Sequence, residues 1–162
     1  MTVCITKIGI AEVRAERDPA VLVTLGLGSC VGVCLYDRSK KIIGMAHIML
    51  PSSIEIKNNS NKAKFADTAI EMLIDEMLEL GANRSLITAK IAGGAQMFNF
   101  KSANDLMRIG ERNIEAVKRE LKRHRVKIVA QDVGGNYGRT IEFYSENGML
   151  SVKTIGHGIR VI

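Results

Sequence analysis

The sequence predicts a single-domain α/β sandwich over residues 1–162, with a mostly antiparallel or mixed sheet and two main helices. Three observations carry this prediction. The first third alternates short runs of Val, Ile and Leu with glycine punctuation, the pattern of strands. Two later stretches repeat apolar residues at helical spacing. The length of 162 residues suits one core, because a chain near 150 residues buries roughly 70% of the surface its unfolded form exposes.

In chain order, strand-like runs occupy Val3–Ile8, Val21–Leu25, Cys30–Tyr36 and Lys41–Leu50. Pro51–Ala63 is polar, aperiodic and long for a connection, so a mobile surface loop able to cover a site is expected there. From Lys64 to Leu80, Phe65, Ala66, Ala69, Ile70, Leu73, Ile74, Met77 and Leu78 form one helical stripe, and Gly81 supplies the stop. A strand at Leu86–Ile91 and the pair Gly93-Gly94 follow. A second helix is expected from about Asn104 to His124, with Leu106, Ile109, Ile114, Val117 and Leu121 inward. Strands at Val126–Val133, Arg139–Tyr144 and Met149–Thr154 close the chain, the last two joined by a hairpin turn at Ser145–Gly148.

Composition narrows the function classes. With 46% hydrophobic and 25% charged residues and only two prolines, the chain is neither disordered nor collagen-like. Four Phe, three Tyr and no Trp offer few platforms for stacking bases, which argues against a single-strand nucleic-acid binder. No apolar run is long enough to span a membrane, and Lys7 interrupts any signal-peptide core, so a cytoplasmic protein is expected. Three cysteines, Cys4, Cys30 and Cys34, without CxxC spacing suggest free thiols rather than a disulfide framework or a zinc site.

The net charge of +6 is concentrated in Arg108–Lys127, where eight basic residues face three acidic ones. Asp67, Glu71, Asp75, Glu76 and Glu79 bias the preceding helix the other way. A solvated helix face with cations at its C-terminal end explains most of this pattern. A docking surface for an acidic partner is the sharper reading, and it predicts salt-dependent binding.

The segment Leu25-Gly26-Leu27-Gly28-Ser29-Cys30 turns from one strand into another, so it opens no helix and forms no dinucleotide fingerprint. No Gly-Lys-Ser or Gly-Lys-Thr follows any glycine-rich stretch, which excludes a P-loop. A cysteine at the mouth of a strand becomes a nucleophile only with a base nearby. His124 lies among Lys122, Arg123 and Arg125 and reads as solvated; His157, between Gly156 and Gly158, reads as a turn residue. His47 instead interrupts an apolar strand, where a buried imidazole needs a partner. A hairpin around Arg38-Ser39 would pair Asp37 with Lys40 and set Cys30 opposite His47. Taken alone, these residues fit a small buried thiol and a satisfied core histidine better than a catalytic pair. Cys34 reads as core, Cys4 has no visible partner, and Thr24 by itself is an ordinary β-branched strand residue.

The chain resembles the CheD chemoreceptor glutamine deamidases of bacterial and archaeal chemotaxis. The resemblance rests on Leu25–Cys30, Ala46-His47-Ile48-Met49-Leu50-Pro51, Lys64-Phe65-Ala66-Asp67, Gly93-Gly94-Ala95-Gln96-Met97, Ile109-Gly110-Glu111-Arg112-Asn113 and Gly134-Gly135-Asn136-Tyr137-Gly138-Arg139. It implies a catalytic cysteine at Cys30, a histidine at His47 and a completing threonine at Thr24, with no metal or organic cofactor. It also implies a fold similar to toxin domains that deamidate glutamine. The implied substrates are glutamines of the cytoplasmic helical bundle of methyl-accepting chemoreceptors, with no nucleic acid and no membrane insertion, and localisation to receptor arrays through the receptors. The implied second partner is CheC, a phosphatase of the response regulator CheY, and receptor methylesterase activity is an implied side reaction. A regulatory module that binds and stimulates CheC, with catalysis secondary or absent, is the alternative function. A redox sensor pairing Cys30 with Cys34 is disfavoured by their separation along one strand.

Overall fold

The computed structural model describes residues 2–54, 56–97 and 108–162. Along these run strands β1 (Cys4–Lys7), β2 (Val13–Arg17), β3 (Ala20–Leu27), β4 (Val31–Asp37) and β5 (Ile42–Ile48), then helix α1 (Ala66–Glu79), β6 (Ile87–Gly93) and helix α2 (Ile109–Arg123). Strands β7 (Lys127–Val133), β8 (Arg139–Tyr144), β9 (Leu150–Thr154) and β10 (Gly158–Val161) complete the order. The start expected for the second helix, with Leu106, lies outside the described residues.

The strands divide between two five-stranded sheets rather than one, in orders β1-β3-β8-β9-β10 and β2-β5-β4-β6-β7. Each is mixed: β1 runs parallel to β3 and β6 parallel to β7, and the remaining pairs are antiparallel. The second sheet is the middle layer. On one face Val31, Val33, Leu35, Ile42, Ala46 and Ile48 meet Ile70, Leu73, Met77, Val117 and Leu121 of the two helices. On the other, Cys34, Tyr36, Ile43, Met45 and Ala92 meet Leu22, Leu27, Ile141, Phe143 and Val152 of the outer sheet.

This layering explains the sequence patterns. Strands β4 and β5 are buried along their whole length because both faces are covered, so they read as unbroken apolar runs. Strand β8 alternates buried and half-buried residues because one face of the outer sheet meets solvent. Helix α1 buries Ala66, Ala69, Ile70, Leu73, Ile74 and Met77, the face that the helical spacing marks, whereas Leu78 of the expected stripe turns out to solvent at the edge of that face. Each of its large apolar side chains contributes about 1.5–3 kcal/mol by leaving water. Truncating Leu73, fully buried between helix and sheet, would cost about 2–5 kcal/mol.

The hairpin of β4 and β5 differs from the expected register. Gly32, not Cys30, lies opposite His47, and Asp37 pairs with Ile42. The connection is four residues long, and Lys41 takes a left-handed backbone with φ of 52°. The Asp37 carboxylate stabilises the turn by accepting from Ser39 N at 2.8 Å and Ser39 Oγ at 2.7 Å. The slip is two residues, so face parity is kept.

Candidate active site

Thr24 and His47 meet between the sheets near the end where β4 begins, and Cys30 immediately precedes that strand. Residues Ile43 and Met45 of β5 face the outer sheet; His47 shares their parity and points the same way. Thr24 reaches it from β3 of that outer sheet. Placing Thr24 there requires an irregularity, because Thr24 and Leu27 are both buried although they are three residues apart. A bulge resolves this: Thr24 pairs with Ile141 and Leu27 with Arg139, and Gly26 takes φ of 64° within the extra turn.

Thr24 Oγ1 lies 2.6 Å from the carbonyl oxygen of Ile8 and 2.7 Å from His47 Nδ1. The carbonyl can only accept, so the single hydroxyl proton goes to Ile8, and Thr24 Oγ1 must accept from His47 Nδ1–H. The ring is thereby held in the Nδ1-protonated tautomer, with its lone pair on Nε2. That Nε2 is buried and has no hydrogen-bond partner among the described residues. Burial pushes the imidazole pKa below its ordinary value, against a smaller upward pull from Glu12, so His47 is neutral at neutral pH.

Cys30 ends the glycine-punctuated turn and is half-buried against the inter-sheet core, on the side that His47 faces. Across the ladder from His47 stands Gly32, where a Cβ would sit 2.7 Å from Ile141 Cδ1, so no side chain fits between the sheets at that position. Burial raises the Cys30 thiol pKa, with its own backbone amide opposing weakly. The thiol and the imidazole are therefore both neutral at rest, and such a thiol needs a general base to become a nucleophile.

The turn is firmly held. The Gly28 carbonyl accepts from Ala95 N at 2.8 Å, the Cys30 carbonyl from Gly94 N at 2.8 Å, and the Ser29 carbonyl from Asn113 Nδ2 at 3.0 Å. Asn113 is fully buried on α2. Sequence reasoning gave it no role, although a polar residue on the Ile109–Val117 stripe was a signal. A second buried group, Arg139, donates from Nε to Asp132 Oδ1 at 2.9 Å and stacks its guanidinium 4.7 Å from the Tyr137 ring centre.

The other candidates fall away from this site. Cys34 is fully buried, and its thiol pKa is raised by burial, as expected for core. Cys4 is exposed. His157 N donates to Thr154 O within a turn, and its ring lies 4.4 Å from that of Tyr137. His124 is half-buried rather than solvated, because it ends α2 against Arg84. Among the described residues, no group of three or more His, Cys, Asp and Glu is arranged to hold a metal ion, and no helix is long and apolar enough to cross a membrane.

Comparison with known proteins agrees with the sequence resemblance. A family model described as CheD chemotactic sensory transduction matches residues 49–154. A probable chemoreceptor glutamine deamidase CheD from Caldanaerobacter subterraneus is 58% identical over 98% of this chain and 98% of its own. Chemoreceptor glutamine deamidases CheD from Halalkalibacterium halodurans and Bacillus subtilis are 51% and 46% identical, each over 98% of this chain and over 98% and 96% of their own. A crystal structure of a Neisseria meningitidis protein of the family model DUF152 aligns with a TM-score of 0.47 and 9% identity, covering 83% of this chain and 63% of that one. The family match begins at Met49, after Thr24, Cys30 and His47, but the relatives run almost end to end with this sequence. The chain belongs to the CheD family.

Proposed function

We propose that this protein is a cysteine-dependent protein-glutamine deamidase, a hydrolase that converts glutamines of methyl-accepting chemoreceptors to glutamate in chemotaxis adaptation. The observation that carries the reading is the Thr24–His47 bond, which leaves a buried Nε2 lone pair unused. Full-length relatives bearing the name chemoreceptor glutamine deamidase support the substrate class.

In this reading His47 Nε2 takes the Cys30 thiol proton, and the sulfur attacks the carboxamide carbon of the substrate glutamine. The tetrahedral oxyanion is stabilised by backbone N–H groups of the Gly28-Ser29-Cys30 turn, whose three carbonyls are already engaged elsewhere. The imidazolium returns its proton to the nitrogen, the C–N bond breaks, and ammonia leaves behind a Cys30 thioester. Water then attacks, giving up a proton to His47. The C–S bond breaks to release glutamate, and the thiolate recovers the proton. Thr24 touches no substrate atom and acts by holding the imidazole. The same route cleaves a glutamyl methyl ester with methanol as the leaving group, so methylesterase activity is part of the proposal.

Docking on an acidic receptor surface would use either the basic helix α2, where Lys118, Arg119, Lys122 and Arg123 are exposed, or the polar 51–63 loop. Binding to the CheC phosphatase rests on the family resemblance alone. The deciding experiment measures ammonia release from purified receptor cytoplasmic fragments, with mass spectrometry of the modified glutamine. Loss of release in both Cys30→Ala and His47→Ala is expected. Release that persists without Cys30 would overturn the mechanism.

A further inference from the structure

We propose that Asn113 is a positioning residue that sets the nucleophile turn against the base strand, an inference that rests on the deamidase reading above. Its side-chain Nδ2 has two hydrogens, and each has a carbonyl: Ser29 O at 3.0 Å and Met49 O at 3.1 Å. Ser29 immediately precedes Cys30, and Met49 lies two residues beyond His47. One amide from a third element therefore ties together the two segments that carry the thiol and the imidazole. The backbone donors Gly94 and Ala95 hold the same turn but not the His47 strand.

The amide orientation is determined by its partners. A flipped side chain would aim Oδ1 at two carbonyl oxygens, all three of them acceptors. In the observed orientation Oδ1 is buried with no partner among the described residues, a cost retained for the sake of the two donor contacts. The helix bearing Asn113 is itself seated closely. A Cβ at Gly110 would lie inside the contact distance of the Gly94 and Ala95 carbonyl oxygens, so α2 meets the same 93–95 loop that holds the Gly28 and Cys30 carbonyls. A displacement near 1 Å between reacting groups is enough to cost roughly 100-fold in rate, and removal of Asn113 frees this spacing.

The test compares Asn113→Asp and Asn113→Ala with the parent in three measurements: kcat and KM for receptor deamidation, thermal unfolding, and the pH-dependent rate of Cys30 alkylation by iodoacetamide followed by mass spectrometry. Exposed Cys4 serves as the internal control. Asp matches the shape of Asn but presents acceptors to both carbonyls. The expected result is a fall in kcat of roughly 10- to 100-fold with KM within about threefold. The Cys30 alkylation profile should approach that of His47→Ala, with Cys4 unaffected. Should either variant fail to fold, Asn113→Ser, which keeps one hydroxyl donor, enters the same comparison. A lowered melting temperature with kcat and the Cys30 profile both unchanged would overturn the proposal and leave Asn113 a purely structural residue. If the parent releases no ammonia from any receptor while Cys30 alkylation still depends on His47 and Asn113, the positioning inference stands and the substrate assignment fails.

Discussion

Replacing Thr24 with valine removes one oxygen while keeping the shape of the side chain, and the structure allows its consequence to be worked out. That oxygen serves two partners, donating to Ile8 O and accepting from His47 Nδ1–H. In Thr24→Val the Nδ1–H would be a buried donor without an acceptor, a penalty of about 1–3 kcal/mol. The imidazole escapes this penalty by moving its proton to Nε2, which destroys the lone pair that the thiol needs. At 1.36 kcal/mol per factor of ten, the base-competent tautomer falls by roughly 5- to 150-fold. Deamidation kcat should fall by that factor, with KM unchanged, because Thr24 is 1% exposed and behind the ring. Thr24→Ser restores a hydroxyl at the same position and should recover most of the rate. Nitrogen chemical shifts of His47 would report the tautomer directly. A kcat within threefold of the parent, or an Nδ1-protonated ring persisting in Thr24→Val, would refute the reasoning.

Four further outcomes are expected. The acid limb of kcat/KM should lie below the ordinary imidazole value of 6.5, since burial disfavours the charged ring, and the alkaline limb should lie above the ordinary thiol value of 9.0. The same depressed His47 pKa makes the unfolded chain bind more protons below pH 6.5, so this histidine's contribution to stability is lost as pH falls from there through its folded pKa, measurable by urea titration. Asp132→Ala should strand the Arg139 guanidinium, whose side chain is 1% exposed, at a cost of about 3–5 kcal/mol. The melting temperature should then drop by roughly 6–20 °C, and the double change with Arg139→Met should recover much of it; a single-variant drop near zero would show the pair to be inert. Charge reversal in Arg119→Glu and Lys122→Glu should weaken receptor binding and flatten its salt dependence, whereas salt-insensitive binding would remove α2 from the docking surface.

The sequence made visible those elements whose burial produces a period. Strands β4 and β5 announce themselves because both of their faces are covered, and α1 because one face is. The two strands it left unseen, β2 and β10, are edges. Val13-Arg14-Ala15-Glu16-Arg17 carries three charges, and every residue of Gly158–Val161 is exposed. Val13 and Ala15 alternate with charged residues and pack against the helix-side core, but such runs are short and largely exposed, so the local pattern does not show what they pair with. The assignment of strands to two sheets was invisible for the same reason: an apolar run says that both faces are buried, but not against what.

The site follows the same division between local and distant information. The relation of Cys30 to His47 depends on a hairpin, a local structure, and the four-residue connection that shifts the register by two conserves the parity on which their shared face depends. The Thr24–His47 contact joins different sheets, and no spacing within one chain segment encodes it; only the family resemblance pointed to that threonine. Asn113 lies between these cases. Its position on an apolar helical stripe marks it as a polar group needing partners, but those partners are backbone carbonyls 84 and 64 residues away. Backbone acceptors carry no residue identity, so a sequence can reveal that a buried amide must be satisfied without revealing what it holds. The groups that orient a reaction can thus be harder to read than the groups that perform it, because chemistry restricts the side chain while positioning restricts only the geometry.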